Sequence, residues 1–176
     1  MDLDLTSEQE LLRESVRGIC ARHSGLDVVR RLEDDPVGYP EKLWVGLSEL
    51  GLTDMRDLGR LDGVVVYQEL GRALAPSPHF VSSVVSAGLA TRAGGEKPVD
   101  AIWTPAWLEP DGGFGPKGVT ARVDGDGRVT GVKRHVAFAA AADRLVVLAR
   151  DDAGEIRYVL VDRKGDGVTL TQQHSI

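Results

Sequence analysis

The sequence predicts an α+β protein: a helical N-terminal half over residues 1–98, followed by an antiparallel, barrel-like sheet over residues 99–176. Three observations lead to that reading. Apolar residues recur at three- and four-residue spacing up to about Pro98, the mark of amphipathic helices. Beyond Pro98 these stripes give way to short β-branched runs. Turn sequences such as Asp124-Gly125-Asp126-Gly127 separate the runs, and Asp-Gly pairs favour tight hairpins because those turns need positive φ.

In the helical half, Thr6 with Gln9 three residues on is a capping-box pattern. Leu11, Leu12, Val16, Ile19 and Cys20 follow at helical spacing, so a first helix is expected from Ser7 to His23. Gly25 lies just past its end, and Leu26 to Leu32 supports a short second helix. Pro36, Gly38 and Pro40 then punctuate the chain. Pro40 suits the first turn of a third helix, whose buried stripe is Leu43, Trp44, Leu47 and Leu50, with Gly51 as a left-handed stop. Two further helices are expected, from Leu61 to Leu74 and from Pro78 to Ala93, the second closing at Gly94-Gly95.

The sheet half reads as strands from Val119 to Val123, Arg128 to Val132, Leu145 to Ala149, Ile156 to Val161 and Val168 to Leu170. No repeat, low-complexity segment or flexible linker interrupts this order.

Composition narrows the classes of function. The 176 residues are 42% hydrophobic and 27% charged, an ordinary balance for a globular protein. No apolar run approaches the roughly 18 residues of a membrane helix, so no membrane partner is expected. Acidic Asp2 and Asp4 stand where a signal peptide would carry basic residues, and the single Cys20 fits a reducing compartment; a cytoplasmic protein is expected. A net charge of −6 argues against nucleic-acid binding, which calls for clustered positive charge. His23, His79 and His174 show no ligand spacing with Cys20 or with one another, so no metal site is expected.

Two segments carry most of the functional information. The first is Ala106-Trp107-Leu108-Glu109-Pro110-Asp111-Gly112-Gly113-Phe114-Gly115, and the second is Gly131-Val132-Lys133-Arg134-His135-Val136 with Ala137 beyond it. Together they resemble the flavin-facing signature of the acyl-CoA dehydrogenases. In that family a small residue, an apolar residue, Ser or Thr, and Glu precede a Gly-rich turn ending in Ser/Thr-Asp. The second segment of the family reads Gly-x-Lys-x-aromatic-Ile/Val-Ser/Thr. Here Leu108 and Ala137 replace the two hydroxyl residues, His135 replaces the aromatic, and Phe114-Gly115 replaces Ser/Thr-Asp. The helical phrases Thr6-Ser7-Glu8-Gln9-Glu10-Leu11-Leu12-Arg13 and Glu69-Leu70-Gly71-Arg72-Ala73-Leu74-Ala75-Pro76 are similar to the family's as well, and in the same order.

The resemblance implies FAD as cofactor and an acyl-CoA thioester as substrate. Trp107, Leu108, His135, Val136 and Ala137 fall at cofactor contacts, and Phe114 and Gly115 at the substrate. The implied reaction is α,β-dehydrogenation of the thioester in lipid or steroid catabolism, in which a positioned carboxylate removes the α-proton. In the family that base belongs to a C-terminal helical bundle, which lies beyond Ile176. No catalytic residue is therefore expected within this chain, and a homo- or hetero-oligomer with a related dehydrogenase subunit is expected. Glu109 matches the signature glutamate and is read as a buttress for its loop, not as the base. Gly112-Gly113-Phe114-Gly115 lacks the Lys-Ser/Thr pair of a phosphate-binding loop and is read as a turn.

Three alternatives follow from the departures. Each lost hydroxyl contact is worth about 0.5–1.5 kcal/mol, enough to weaken flavin binding without abolishing it. The chain is then the front of a flavoenzyme, or a degenerate, non-flavin subunit paired with a complete sister chain. Some bacterial members acting on steroid-type thioesters are built in the second way. A binding module unrelated to flavin chemistry is the third alternative.

Overall fold

The computed structural model describes residues 4–56, 58–113 and 115–173. Helix α1 spans Ser7–His23 and begins at the expected box: the Thr6 hydroxyl accepts from the Gln9 amide at 3.2 Å, and the Thr6 amide donates to the Gln9 side chain at 3.1 Å. A short α2 (Leu26–Arg31) leads to α3 (Glu41–Glu49), which starts just after Pro40 and stops at Gly51, where φ is +73°. Helix α4 covers Arg60–Arg72. Val16, Ile19 and Cys20 from α1 meet Leu43 and Leu47 from α3 and Val66 and Leu70 from α4 in a first core. Gly46 allows α1 and α3 to close, since a Cβ there would stand 3.0 Å from the Ile19 side chain.

The last expected helix takes another form. Phe80–Ser86 is a π-helical turn, and only Ala87–Arg92 (α5) is α-helical. Serine hydroxyls that bond to backbone compete with the α-helical ladder, and two buried serines, Ser82 and Ser86, do so here. Ser86 donates to the Val81 carbonyl, five residues back, at 2.7 Å and to the Trp103 carbonyl at 3.2 Å. Ser82 donates to the Ala101 carbonyl and accepts from the Trp103 amide, both at 3.1 Å. The wide turn is thus fastened side-on to the first strand of the sheet.

That sheet is mixed and open, not antiparallel and barrel-like as the sequence predicts. Its strands are β1 (Trp103–Ala106), β2 (Arg122–Val123), β3 (Val129–Thr130), β4 (Arg144–Arg150) and β5 (Ile156–Asp162). Strand β4 is the hub: β1 runs parallel to it from Trp103 opposite Arg144 to Ala106 opposite Val147, and β5 lies antiparallel along its whole length. A short contact of Arg122 with Arg150 adds β2 in parallel, and β3 pairs antiparallel with β2. Parallel pairing requires a long crossover, supplied here by residues 107–143. Strand β1 escapes the sequence reading because Pro105 interrupts it, although a proline is tolerated at a sheet edge. Val168 to Leu170 forms no strand; Val168 instead packs against the sheet core.

The two halves share a second core, in which Tyr39 and Trp44 of the helical half sit among Ile102, Ala106, Ala142, Leu145 and Val147. Polar groups seal the same junction. Trp44 Nε1 donates to the Asp100 carbonyl at 3.3 Å, and the Ile102 amide donates to the Asp143 carboxylate at 2.8 Å. Lys97 is buried with its Nζ donating to the carbonyls of Pro98, Val99 and Ala101, and burial lowers its pKa to about 8 against the pull of nearby aspartates. His79 is fully buried: its Nε2 faces the Leu52 carbonyl at 2.7 Å, which assigns that nitrogen the proton and leaves Nδ1 to accept from the Tyr67 hydroxyl at 2.8 Å.

Candidate functional site

The first signature segment leaves β1 at Ala106 and runs as a loop to a short 3₁₀ turn, Pro116–Gly118. Its glycines serve close approach of backbones. A Cβ on Gly112 would meet the Gly118 carbonyl oxygen at 2.5 Å, and one on Gly118 would meet the Gly113 carbonyl at the same distance. The loop folds back on itself, which side chains at these positions would prevent.

Glu109 locks that loop to the second segment. It is 4% exposed and accepts from the amides of Thr120 (2.9 Å) and Ala121 (3.0 Å), from the Thr120 hydroxyl, and from Lys133 Nζ at 2.6 Å. Burial opposes its ionised form, but the Lys133 ammonium and the hydroxyl and amide donors outweigh that and bring its pKa down to about 2. Lys133 Nζ also reaches the Trp107 carbonyl at 3.4 Å, and the Arg134 amide donates to the Leu108 carbonyl at 2.8 Å. The two signature segments are therefore held side by side by charge and by backbone. With every oxygen committed, Glu109 is a strut and has no proton-accepting role to play.

The cleft beside this strut has a volume of ≈ 460 Å³, within the range of about 300–1,000 Å³ usual for small-molecule sites. It gathers Trp107, Leu108, Gly115, His135 and Ala137 of the residues singled out from sequence. Val136 points elsewhere: its side chain packs against the second core and borders a smaller space of ≈ 170 Å³ on the other side of the sheet. Phe114 and His174 lie outside the described residues. His135 is exposed, lies outside any strand and has a φ of +54°; its amide meets the Gln173 side chain at 3.3 Å. The Ala137 carbonyl accepts from the Thr104 hydroxyl at 2.6 Å, tying the second segment back to β1.

Several lining groups escaped the sequence reading. Arg134 lies between two motif positions, and Tyr158 reaches over from β5, its ring 6.4 Å from that of Trp107. Val81 enters from the π-helical turn. Among the described residues, Trp107 Nε1 and Arg134 Nε are buried donors with no partner, a condition worth about 1–3 kcal/mol each when left unmet. A flavin offers carbonyl and ring-nitrogen acceptors for the Trp107 donor, and the apolar wall of Leu108, Ala137 and Leu148 suits a planar ring. The residues present therefore fit the cofactor that the resemblance implies. No carboxylate lines the cleft among the described residues, and none of their His, Cys, Asp and Glu side chains form a group that would hold a metal ion. No helix among them is long and apolar enough to cross a membrane.

A helical layer fastened to an open sheet, with this paired signature along one cleft, matches the fold of the N-terminal and middle portions of acyl-CoA dehydrogenases. In sequence and in fold the chain is similar to members of that family. No protein-family model matches it. Over 80 residues it is 40% identical to acyl-CoA dehydrogenase IpdE2 of Mycobacterium tuberculosis, covering 40% of this chain and 25% of that protein. The structure of the ChsE4-ChsE5 complex from Mycobacterium tuberculosis matches with a TM-score of 0.76 and 27% identity, over 97% of this chain and 51% of the other. An acyl-CoA dehydrogenase from Bacillus anthracis complexed with FAD shares the fold, with a TM-score of 0.78 at 18% identity over 98% of this chain and 34% of that one. The chain thus spans about half the length, or less, of these relatives.

Proposed function

We propose that this chain is a subunit of a heteromeric acyl-CoA dehydrogenase, contributing one wall of the cleft in which an acyl-CoA thioester is oxidised between its α and β carbons. FAD, when bound, accepts the hydride from the β-carbon. Trp107, Leu108 and Ala137 would hold the ring through their backbone amides and apolar surface, and His135 would close its rim. Gly115 would face the thioester. Because no carboxylate lines the cleft among the described residues, the proton-abstracting base is assigned to another part of the assembly. The relation to the ChsE4-ChsE5 complex supports a paired assembly. Leu61 and Val64 on α4, with Phe80 and Val84 on the π-helical turn, are exposed apolar side chains available to a second subunit.

The observation that carries the reading is the placement of Leu108 and Ala137 in the cleft wall, where the resembled enzymes present hydroxyls. The same observation favours a second reading, in which this subunit is structural and binds no flavin of its own. Co-purification with a complete dehydrogenase subunit, followed by light scattering and flavin absorbance, tests both. We expect a heteromer that turns over acyl-CoA with an electron-accepting dye, while this chain alone is colourless and inactive. A heteromer with fewer FAD than chains selects the structural subunit. One FAD per chain in the isolated protein, with turnover, would sink both readings in favour of a self-sufficient enzyme.

A further inference from the structure

The charge of the cleft runs against that of the chain. The sequence carries a net charge of −6, yet the described lining of the cleft holds the guanidinium of Arg134 and the imidazole of His135 and no carboxylate. The nearest buried acid, Glu109, is already matched by Lys133 behind the wall, so Arg134 is not called on to neutralise it. The buried Nε of Arg134 has no partner among the described residues. Trp107 adds a second unmatched donor, Nε1, beside an apolar surface. An arginine with an unpartnered buried Nε–H and a neighbouring unpartnered indole N–H in an apolar cleft are complementary to an oxyanion on an otherwise apolar or aromatic body.

Resting on the proposed function, we infer that Arg134 reads an oxyanion, a phosphate or carboxylate carried by the ligand, and that this charge contact replaces binding strength lost with the hydroxyls at Leu108 and Ala137. Two sources would present that chemistry: the phosphate of a flavin nucleotide and the phosphates of the CoA thioester. Arg134 is a positioning and specificity residue in either case, since it holds the ligand and moves no proton.

Isothermal titration of the 176-residue chain with four probes distinguishes these sources: riboflavin, FMN, S-butyrylpantetheine and S-butyryl-4′-phosphopantetheine. Each pair differs in its anionic group. We expect one phosphorylated member to bind about tenfold tighter than its neutral counterpart, the scale of one charge-assisted contact. Arg134→Met should erase that difference while leaving the neutral probe unchanged, and Arg134→Lys should retain part of it. Arg122→Met, which removes an exposed arginine outside the cleft, should leave it intact. Added salt should narrow the preference in the unaltered chain, a readout independent of whether the variants fold.

Neutral and anionic probes binding alike, or a preference that survives Arg134→Met, would overturn the inference and leave the proposed function standing. Equal loss of riboflavin and FMN in Arg134→Met would also overturn it, by placing Arg134 against the ring. Failure of all four probes to bind would overturn the inference together with a ligand-binding role for this cleft.

Discussion

Each half of the molecule is pinned by one buried glutamate, and the two are held in opposite ways. Glu69 on α4 and Glu109 in the signature loop are both only 4% exposed. Glu69 takes two bonds from Arg17 on α1, at 3.0 and 2.8 Å, and one from Arg72 at 3.0 Å. Those arginines reach in from solvent, with side chains 43% and 61% exposed. Lys133, the partner of Glu109, is 9% exposed. Water and salt therefore screen the helical pair and leave the loop pair in a low-dielectric site. Redundancy differs too: two cations share Glu69, whereas Glu109 has one cation and three neutral donors. The helical layer can lose a partner, and the signature loop cannot.

The largest expected effect breaks the loop pair. Lys133→Met leaves Glu109 as a buried, uncompensated charge, and removing one partner of such a pair destabilises by about 3–5 kcal/mol. Glu109→Gln should be milder, because the single amide oxygen can still accept on one side, from the Ala121 amide and Lys133 or from the Thr120 amide and hydroxyl. Urea unfolding monitored by circular dichroism measures both. A loss below about 1 kcal/mol for Lys133→Met would mean that the loop pair is as well screened as the helical one.

Acid should separate the two carboxylates next. Glu109 ionises at about 2 in the fold against an ordinary value of 4.5, so its contribution is fully present above pH 4.5 and disappears as the pH falls towards 2. The span corresponds to about 3 kcal/mol. Glu69 is also held low, first by the Arg17 hydrogen bonds against the opposing effect of burial, so it works in the same direction. Comparing unfolding of the unaltered chain with Glu109→Gln from pH 5 down to pH 2 isolates the first term: the gap should shrink as acid is added. A gap that stays constant would mean that Glu109 titrates alike in the folded and unfolded chain.

How much of this was legible in the sequence depends on the range of the interactions. The capping box at Thr6 and Gln9 is local chemistry, and α1 begins and ends where it predicts. The stripe of α3 and the left-handed Gly51 are local as well. Strand β1 is not: Trp103, Thr104 and Ala106 are buried on both faces, so no alternation marks it, and its parallel partner lies a long crossover away. The β2–β3 pairing shrinks to two residues a strand, and just beyond it a Cβ on Gly131 would stand 2.6 Å from the Ala121 side chain. The π-helical turn depends on serines meeting carbonyls of a strand the sequence did not announce. At the site, the family resemblance singled out Trp107, Leu108, His135 and Ala137, and the fold gathers them along one cleft. Arg134 and Tyr158 required the fold, since nothing local says that one falls on the cleft side of its segment or that the other crosses from β5.

The smallest effect is the one that sharpens the contrast most. Arg72→Met removes a largely exposed arginine from Glu69 while Arg17 keeps its two-bond grip, so we expect a loss below about 1 kcal/mol that fades further in salt. Arg17→Met should weaken the fold more, because it removes the two-bond contact and the link between α1 and α4 together. The double variant should exceed the sum of the single losses, since only then is Glu69 buried without any cation. Its loss should approach that of Lys133→Met. Strict additivity in this cycle would show that exposure of the partner, and not the number of partners, sets the difference between the two glutamates.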